Sequence, residues 1–408
     1  MRIVHASLPV FLTFVLGAVS PAGPQWARHT IDAGSRGADG VRLADFNRDG
    51  FPDIVTGWEE GGRIRVCLNP GPARAKAPWP ALVVGEVGSP EDAVFADLDG
   101  DGTLEVVSAS EGKVKTMWVH SRRAPGDLPT DKPLDTGAQA WQTQPLPASK
   151  GMQQWMFCLP LQLDGRNGID LVAGGKGQDA RIGWFQSPPD PNDLAAWTWR
   201  PLRPAGWVMS LLASDMDGDG DEDVVFSDRK GPARGCYWLE NPGVGPEQSK
   251  PWREHVIGGQ DREVMFLTLG DLDGDGRQDV IAATQGRELL FLRRTANRPP
   301  RWERFTIALP SGTGTGKGIA IGDIDRDGRP DLVFSCENAK GKSGVMWLSY
   351  RKQPTESDWL AHEISGPEGT KYDLVEILDL DADGDLDVLT CEETENLGVI
   401  WYENPENP

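Results

Sequence analysis

A nine-residue pattern, Asp-x-Asp/Asn-x-Asp-Gly-x-x-Asp/Glu, recurs along this 408-residue chain and limits its fold more than any other feature. In Asp271-Leu-Asp273-Gly-Asp275-Gly276-Arg-Gln-Asp279, carboxylates stand at positions 1, 3, 5 and 9, with a glycine at position 6. Alternate side chains of such a turn converge, and the glycine allows the tight backbone. Carboxylates a few Å apart repel by about 1 kcal/mol per pair in water, and by about 4 at an effective dielectric near 20. A dication held by oxygen ligands removes that cost, so the spacing points to calcium. The loops are not EF-hands: Ala282 and Phe226 stand where the closing Glu would be, and strand-forming residues flank the turn.

Six stretches fit and supply the expected metal ligands. They are Asp45, Asn47, Asp49 and Asp53; Asp97, Asp99, Asp101 and Glu105; Asp215, Asp217, Asp219 and Asp223; Asp271, Asp273, Asp275 and Asp279; Asp323, Asp325, Asp327 and Asp331; Asp379, Asp381, Asp383 and Asp387. Up to six calcium ions are expected. A seventh copy is degenerate: Gln162 replaces the first acid and Arg166 the third, leaving Asp164 and Asp170. This loop is expected to hold no metal, because the Arg166 cation can neutralise both acids itself.

The seven loops begin 52, 65, 53, 56, 52 and 56 residues apart. A period of this size is the mark of a repeat array, and seven copies predict a closed ring. Each repeat contains an apolar strand entering the loop and a β-branched strand leaving it, such as Val280-Ile281. A third strand closes on Asn-Pro, as in Cys236–Pro242. A Trp-led strand follows, as in Trp252–Ile257. Four strands per repeat make a blade, and the fold class is all-β, a seven-bladed β-propeller over residues 25–408. Trp26–Ile31 has no strands before it. It is predicted to complete the last blade beside Val399–Glu403, closing the ring and hiding an open edge. The polar Ser121–Ala140 and the Pro-rich Ser187–Leu194 read as surface loops.

The net charge of −21 follows from these loops, whose ligand positions carry 25 carboxylates. No basic run or basic-aromatic stripe appears, so nucleic acid is not an expected partner. Residues 1–24 read as a secretory signal: Arg2, an apolar stretch from Leu8 to Val19, then small residues to Ala22. The alternative is a short anchor, but the run is too short for a stable membrane span. The chain is expected to be secreted or otherwise extracytoplasmic, and monomeric. Its five cysteines form no CxxC pair and read as buried small hydrophobes.

Thirteen of the 16 tryptophans fall on the Trp-led or Asn-Pro strands and read as packing residues. Trp58, Trp155 and Trp207 fall outside that register and are candidate ligand contacts. His29, His255 and His362 share one slot of the Trp-led strand, which indicates a structural role. Gly312–Gly318 imitates a phosphate loop but precedes a strand, whereas that loop needs a helix behind it.

Function is expected at the channel mouth opposite the acidic loops. First-strand starts should converge there: Asp39, Asp92, Gln154, Trp155, Trp207, Arg262, Glu263, Lys317, Lys371, Tyr372 and Asp373. Turns after the second strand add Trp58, Glu59, Lys176, Asp228, Arg229, Glu337, Asn338 and Glu392. Mixed charge beside aromatic faces suits a sugar or polar chain better than an apolar ligand.

The repeats resemble the FG-GAP/VCBS family of calcium-loop β-propellers over residues 26–404. The six acidic stretches carry that resemblance. It implies a seven-bladed fold, calcium in the loops between first and second strands, and an extracytoplasmic location. It does not imply one activity: integrin α-chain headpieces, fungal lectins, polysaccharide lyases and aldos-2-ulose dehydratases share such repeats. The Phe-Gly-Gly-Ala-Pro element of the family is absent here. The chain is therefore expected to be a binding module for a glycan or an extracellular protein. The alternative is a carbon-oxygen lyase acting on a polysaccharide or sugar, with Tyr372, Lys371, Lys317 and Arg262 as the available acid–base and cationic groups.

Overall fold

The computed structural model describes residues 26–122 and 140–405. Residues 1–24, read from the sequence as a secretory signal, and most of the Ser121–Ala140 stretch lie outside the described residues. Within them, 28 strands form seven four-stranded antiparallel sheets. Six sheets take four consecutive strands each. The fifth blade, for example, consists of β18 (Val264–Gly270), β19 (Asp279–Thr284), β20 (Glu288–Asn297) and β21 (Pro300–Ala308). The seventh contains β26 (Tyr372–Leu378), β27 (Asp387–Glu392) and β28 (Gly398–Glu403), and borrows its outer strand, β1 (Ala27–Asp32), from the start of the chain. Ala27 lies opposite Glu403, and Thr30 opposite Ile400. The ring closes as the sequence predicts.

Each acidic loop joins the first and second strands of its blade. The second strands are buried along their whole length, as in β19 and β27, because both faces pack on neighbouring blades. The cores consequently lie between blades. One joins the seventh blade to the first through Ile31, Trp58, Trp79, Leu389 and Trp401. The indoles of Trp79 and Trp401 both donate to the Ala75 carbonyl. The histidine slot is structural: His255 stacks on Trp238 at 3.9 Å, His362 on Trp347 at 3.7 Å, and His29 lies 4.6 Å from Trp401.

In every blade the register of the first strand against the second slips near the start of the first strand. Such a bulge re-aims the side chains beside it. Ala38, Trp155, Val208 and Tyr372 turn into the interblade cores, whereas Asp39, Met156, Met209 and Asp373, one residue on, turn into the central channel.

All five cysteines are free and buried. The only helices among the described residues are short 3-10 turns, and none is long and apolar enough to cross a membrane. Thr315–Gly322 follows the Gly-rich stretch as a strand, so the likeness to a phosphate loop ends there.

Candidate functional site

The acidic loops share one hydrogen-bond plan. In the fifth blade Asp271 accepts the main-chain N–H of Asp275 at 3.0 Å and of Gly276 at 2.8 Å. Asp273 accepts from Asp275, and Asp275 from Arg277. The acid at position 9 does different work. Asp279 accepts the N–H of Leu272 in the loop and, at 2.7 Å, that of Arg294 in the third strand. Asp53 bonds likewise to Phe46, Asn47 and Asn69, and Asp387 to Leu380 and Asn404. Burial pushes Asp53, Asp223, Asp331 and Asp387 up to about 7, and Asp279 to about 6, against the pull of these N–H donors. Burial likewise raises Glu105 to about 7.

The donor set fits a hard cation. Carboxylate oxygens of Asp215, Asp217 and Asp223 lie within 4.8 Å of one another, as do those of Asp271, Asp273 and Asp279, and of Asp97, Asp99 and Asp101. Buried oxygens of Asp323 and Asp381 accept no hydrogen bond among the described residues. Asp221 and Asp385, at position 7, bring an extra carboxylate into their loops. Burial and the adjacent acids raise both to about 6. Protein cations also reach the loops: Arg293 pairs with Asp273 and Asp275, and Lys76 with Asp381 at 3.0 Å.

The degenerate third loop is built differently from the expectation. Arg166 forms no ion pair with Asp164 or Asp170. Instead the Gln162 amide donates to the carbonyls of Arg166 and Gly168, and Gln186 donates to Asp164 at 2.6 Å. Asp170 keeps the position-9 role, accepting from Leu163 and Ser187. The Gln186 amide thus stands beside Asp164 where the sequence pattern suggested a cation, and the Gln162 amide holds the loop's carbonyls.

On the opposite face the channel mouth forms a cavity of about 270 Å³ lined from all seven blades. Its wall includes Asp39, Glu59, Lys176, Trp207, Arg229, Lys317, Glu337, Lys371 and Asp373, all expected from the sequence. It also includes Glu91, Glu111, Met156, Phe157, Met209 and Phe266, which were not singled out. A signal existed for the two acids: Glu91 starts its blade as Asp39 does, and Glu111 follows its second strand as Glu59 does. Phe157 and Phe266 meet edge-to-face at 5.5 Å.

The mouth is a network of ion pairs. Lys317 pairs with Asp373 at 3.1 Å, Lys371 with Glu393, Lys176 with Glu91 and Glu111, and Arg229 with Glu263 at 3.2 Å. Burial opposes the charge on Asp373, but Lys317 and Lys371 outweigh it and hold the carboxyl below its usual range. Burial is likewise outweighed at Lys317, raised by Asp373, and at Lys371, raised by Asp39 and Glu393. Asp39 is pushed well up by burial and then by Asp373 and Glu91, and Glu91 is raised to about 8 by burial. Lys176, Arg229 and Lys230 all lie about 4.5 Å from the Trp207 ring centre, bracing it at the rim.

Several expected contacts do not reach the mouth. Trp58, Trp155 and Tyr372 are fully buried in interblade cores. The bulge shifts the channel-facing position by one residue, which sends Trp155 and Tyr372 to the other face of the sheet. Tyr372 is bonded to Tyr402 and donates to the Glu368 carbonyl at 2.7 Å, and burial raises it to about 12. Glu392 accepts main-chain N–H groups from Thr370, Lys371, Thr394, Glu395 and Leu397, and Asp228 those of Gly206 and Trp207. Both fasten turns. Asp92 is buried against Arg42 at 3.0 Å. Arg262 is tied to Asp261 and Glu288 outside the cavity, Asn338 bonds Thr315, and Gln154 is half-buried at the end of its strand.

Residues 45–108 and 271–334 match the model of a family described as FG-GAP-like repeat. No curated protein matches the chain. Two crystal structures of BBS1N in complex with ARL6DN, one soaked with mercury and one with lead, are similar in fold. They are each 10% identical to this chain, with TM-scores of 0.53 and 0.50. The matches cover 94% of this chain and 97% and 98% of those chains. At that identity the likeness concerns the fold alone.

Proposed function

The chain is a seven-bladed propeller of FG-GAP-like repeats, and from that premise we propose that it is a secreted, calcium-stapled binding module whose ligand docks at the channel mouth. The ligand is a polar chain, a glycan or a segment of an extracellular protein. One observation carries this reading: all seven blades place side chains around a single cavity of mixed charge. A packed ring needs apolar residues there, so charge at these positions is a cost to stability that ligand binding accounts for. The similar BBS1N propeller, crystallised with ARL6DN, supports a protein partner as one form of that ligand.

Calcium would be held by the acids at positions 1, 3, 5 and 9 of the six complete loops. It would supply positive charge between carboxylates that otherwise repel. The chain's own residues do the rest: Asp53, Asp223, Asp279 and Asp387 at position 9 tie their loops to the end of the third strand, and the glycine at position 6 lets the loop turn. The secretory pattern at the N-terminus supports an extracytoplasmic location, where millimolar calcium is available.

The residues that the lyase alternative names are not disposed as a base at the mouth. Tyr372 is locked in the core, Arg262 lies outside the cavity, and Lys317 and Lys371 are held protonated by Asp373 and Glu393. An array of glycans and extracellular proteins, run beside an absorbance assay for unsaturated products from acidic polysaccharides, tests the choice. Retention without product supports a binding module. Sustained product formation by the purified protein would overturn it.

A further inference from the structure

We propose that Asp39, Glu59 and Glu91 bind a divalent cation of the calcium type at the channel mouth, on the face opposite the acidic loops. The three acids come from three segments of the first two blades. Asp39 lies in Ala38–Ala44, Glu59 follows Asp53–Trp58, and Glu91 lies in Pro90–Ala96. All three line the channel cavity, and their carboxylate oxygens lie within 4.8 Å of one another. Oxygens around a single calcium ion, each 2.3–2.6 Å from it, stand roughly that far apart.

Asp39 supplies a second, independent observation. It is only 7% exposed, and no hydrogen bond or ion pair from a described residue reaches its carboxylate. The other deeply buried mouth acids are served: Asp92 by Arg42, Asp373 by Lys317, and Asp228 by main-chain N–H groups. Lys371 acts on Asp39 only from beyond ion-pair distance and pairs with Glu393, and Lys176 pairs with Glu91 and Glu111. A buried carboxylate without a partner is unfavourable, and two further acids beside it make it more so. A dication supplies the missing partner to Asp39 and a further one to Glu59 and Glu91, while Lys176 retains Glu111. Three protein oxygens fall short of the six to eight that calcium takes, so its other positions go to water or to ligand oxygens. The site stands whether or not the mouth binds a glycan or protein.

Calcium bound per chain, counted by equilibrium dialysis, tests the proposal. Wild type is compared with the double variant Asp39→Asn/Glu59→Gln. One fewer ion per chain is expected, and the chelated variant should melt no lower than chelated wild type, because the repulsion is gone. The difference does not depend on how many repeat loops are loaded. An equal count overturns the proposal. Glu59→Gln alone, at a half-buried position, serves if the double variant does not fold. It should weaken one ion by tenfold or more, and unchanged affinity for every ion overturns the assignment.

Discussion

The Asp223 carboxylate accepts the main-chain N–H of Asn241 at 2.7 Å and, through its other oxygen, that of Met216 at 2.8 Å. One side chain therefore ties the acidic loop to the Asn-Pro end of the third strand. The same tie recurs from Asp53 to Asn69 and from Asp387 to Asn404. Asp170 makes the equivalent bond to Ser187 in the loop that has lost the acids of positions 1 and 5. The acid at position 9 is thus a structural member of the blade in its own right.

Asp223→Ala should accordingly destabilise the protein even without calcium. It leaves two buried N–H groups without acceptors, at about 1–3 kcal/mol each. Urea unfolding in chelator should show a loss of about 2–6 kcal/mol. A loss below roughly 0.5 kcal/mol, the range of ordinary surface changes, would show that the tie is incidental.

The blades, the loop positions and the closing strand were legible in the sequence because each depends on a short-range pattern repeated seven times. Which side chain faces the channel was legible in part: Asp39, Lys317 and Asp373 are expected there and line it, but Trp155 and Tyr372 are expected there and do not. The bulge near the start of each first strand is invisible to a period-two reading, so Tyr372 was assigned to the mouth when its neighbour Asp373 occupies it. Trp58 and Trp155 escaped because interblade packing sets their burial, and no local pattern reports which blade face a neighbour covers. The role of Gln162 was hidden by chemistry: its amide donates to two loop carbonyls, whereas the pattern points to Arg166 as the partner of Asp164 and Asp170.

Calcium removal should lower stability substantially. With dissociation constants of 10⁻⁴–10⁻³ M, millimolar calcium adds roughly 0.4–1.4 kcal/mol per loop, or about 2–8 kcal/mol over six. Chelator should lower the melting temperature by several degrees or more, and restored calcium should return it. An unchanged melt would contradict calcium in these loops.

Deleting the chain through Asp32 should open the ring. It exposes the hydrogen-bonding edge of β28 and removes Ile31 from the core between the first and seventh blades. Light scattering and thermal unfolding should show aggregation or loss of a single cooperative transition. A monomeric truncation that unfolds cooperatively would show that β1 is dispensable.

His120 makes stability depend on pH. Burial lowers it to about 3, and it lies neutral between Ser108 and Thr143, 2.9 Å from each hydroxyl. Its folded pKa is below the unfolded value near 6.5, so its contribution is complete above 6.5 and is lost as pH falls toward 3. Buried carboxylates titrate over part of the same range, so the measurement is a difference. Between pH 7 and pH 5, wild type should lose about 2 kcal/mol relative to His120→Gln. Parallel pH profiles for the two proteins would contradict this.

The central claim is that ligand is held at the channel mouth, and the most direct measurement is affinity for a ligand found on the array. Three proteins are compared: wild type, the mouth variant Arg229→Ala/Lys371→Ala, and the outer-strand variant Arg253→Ala/Arg301→Ala. Losing two charge-assisted contacts, each about 1.5–3 kcal/mol, should weaken binding by about 100-fold or more in the mouth variant alone. Lys371→Ala leaves the buried Glu393 unpaired, so the mouth variant should melt lower, and affinity is compared well below the transition of every protein. Unchanged affinity in the mouth variant, or an equal loss in the outer-strand variant, would contradict the account.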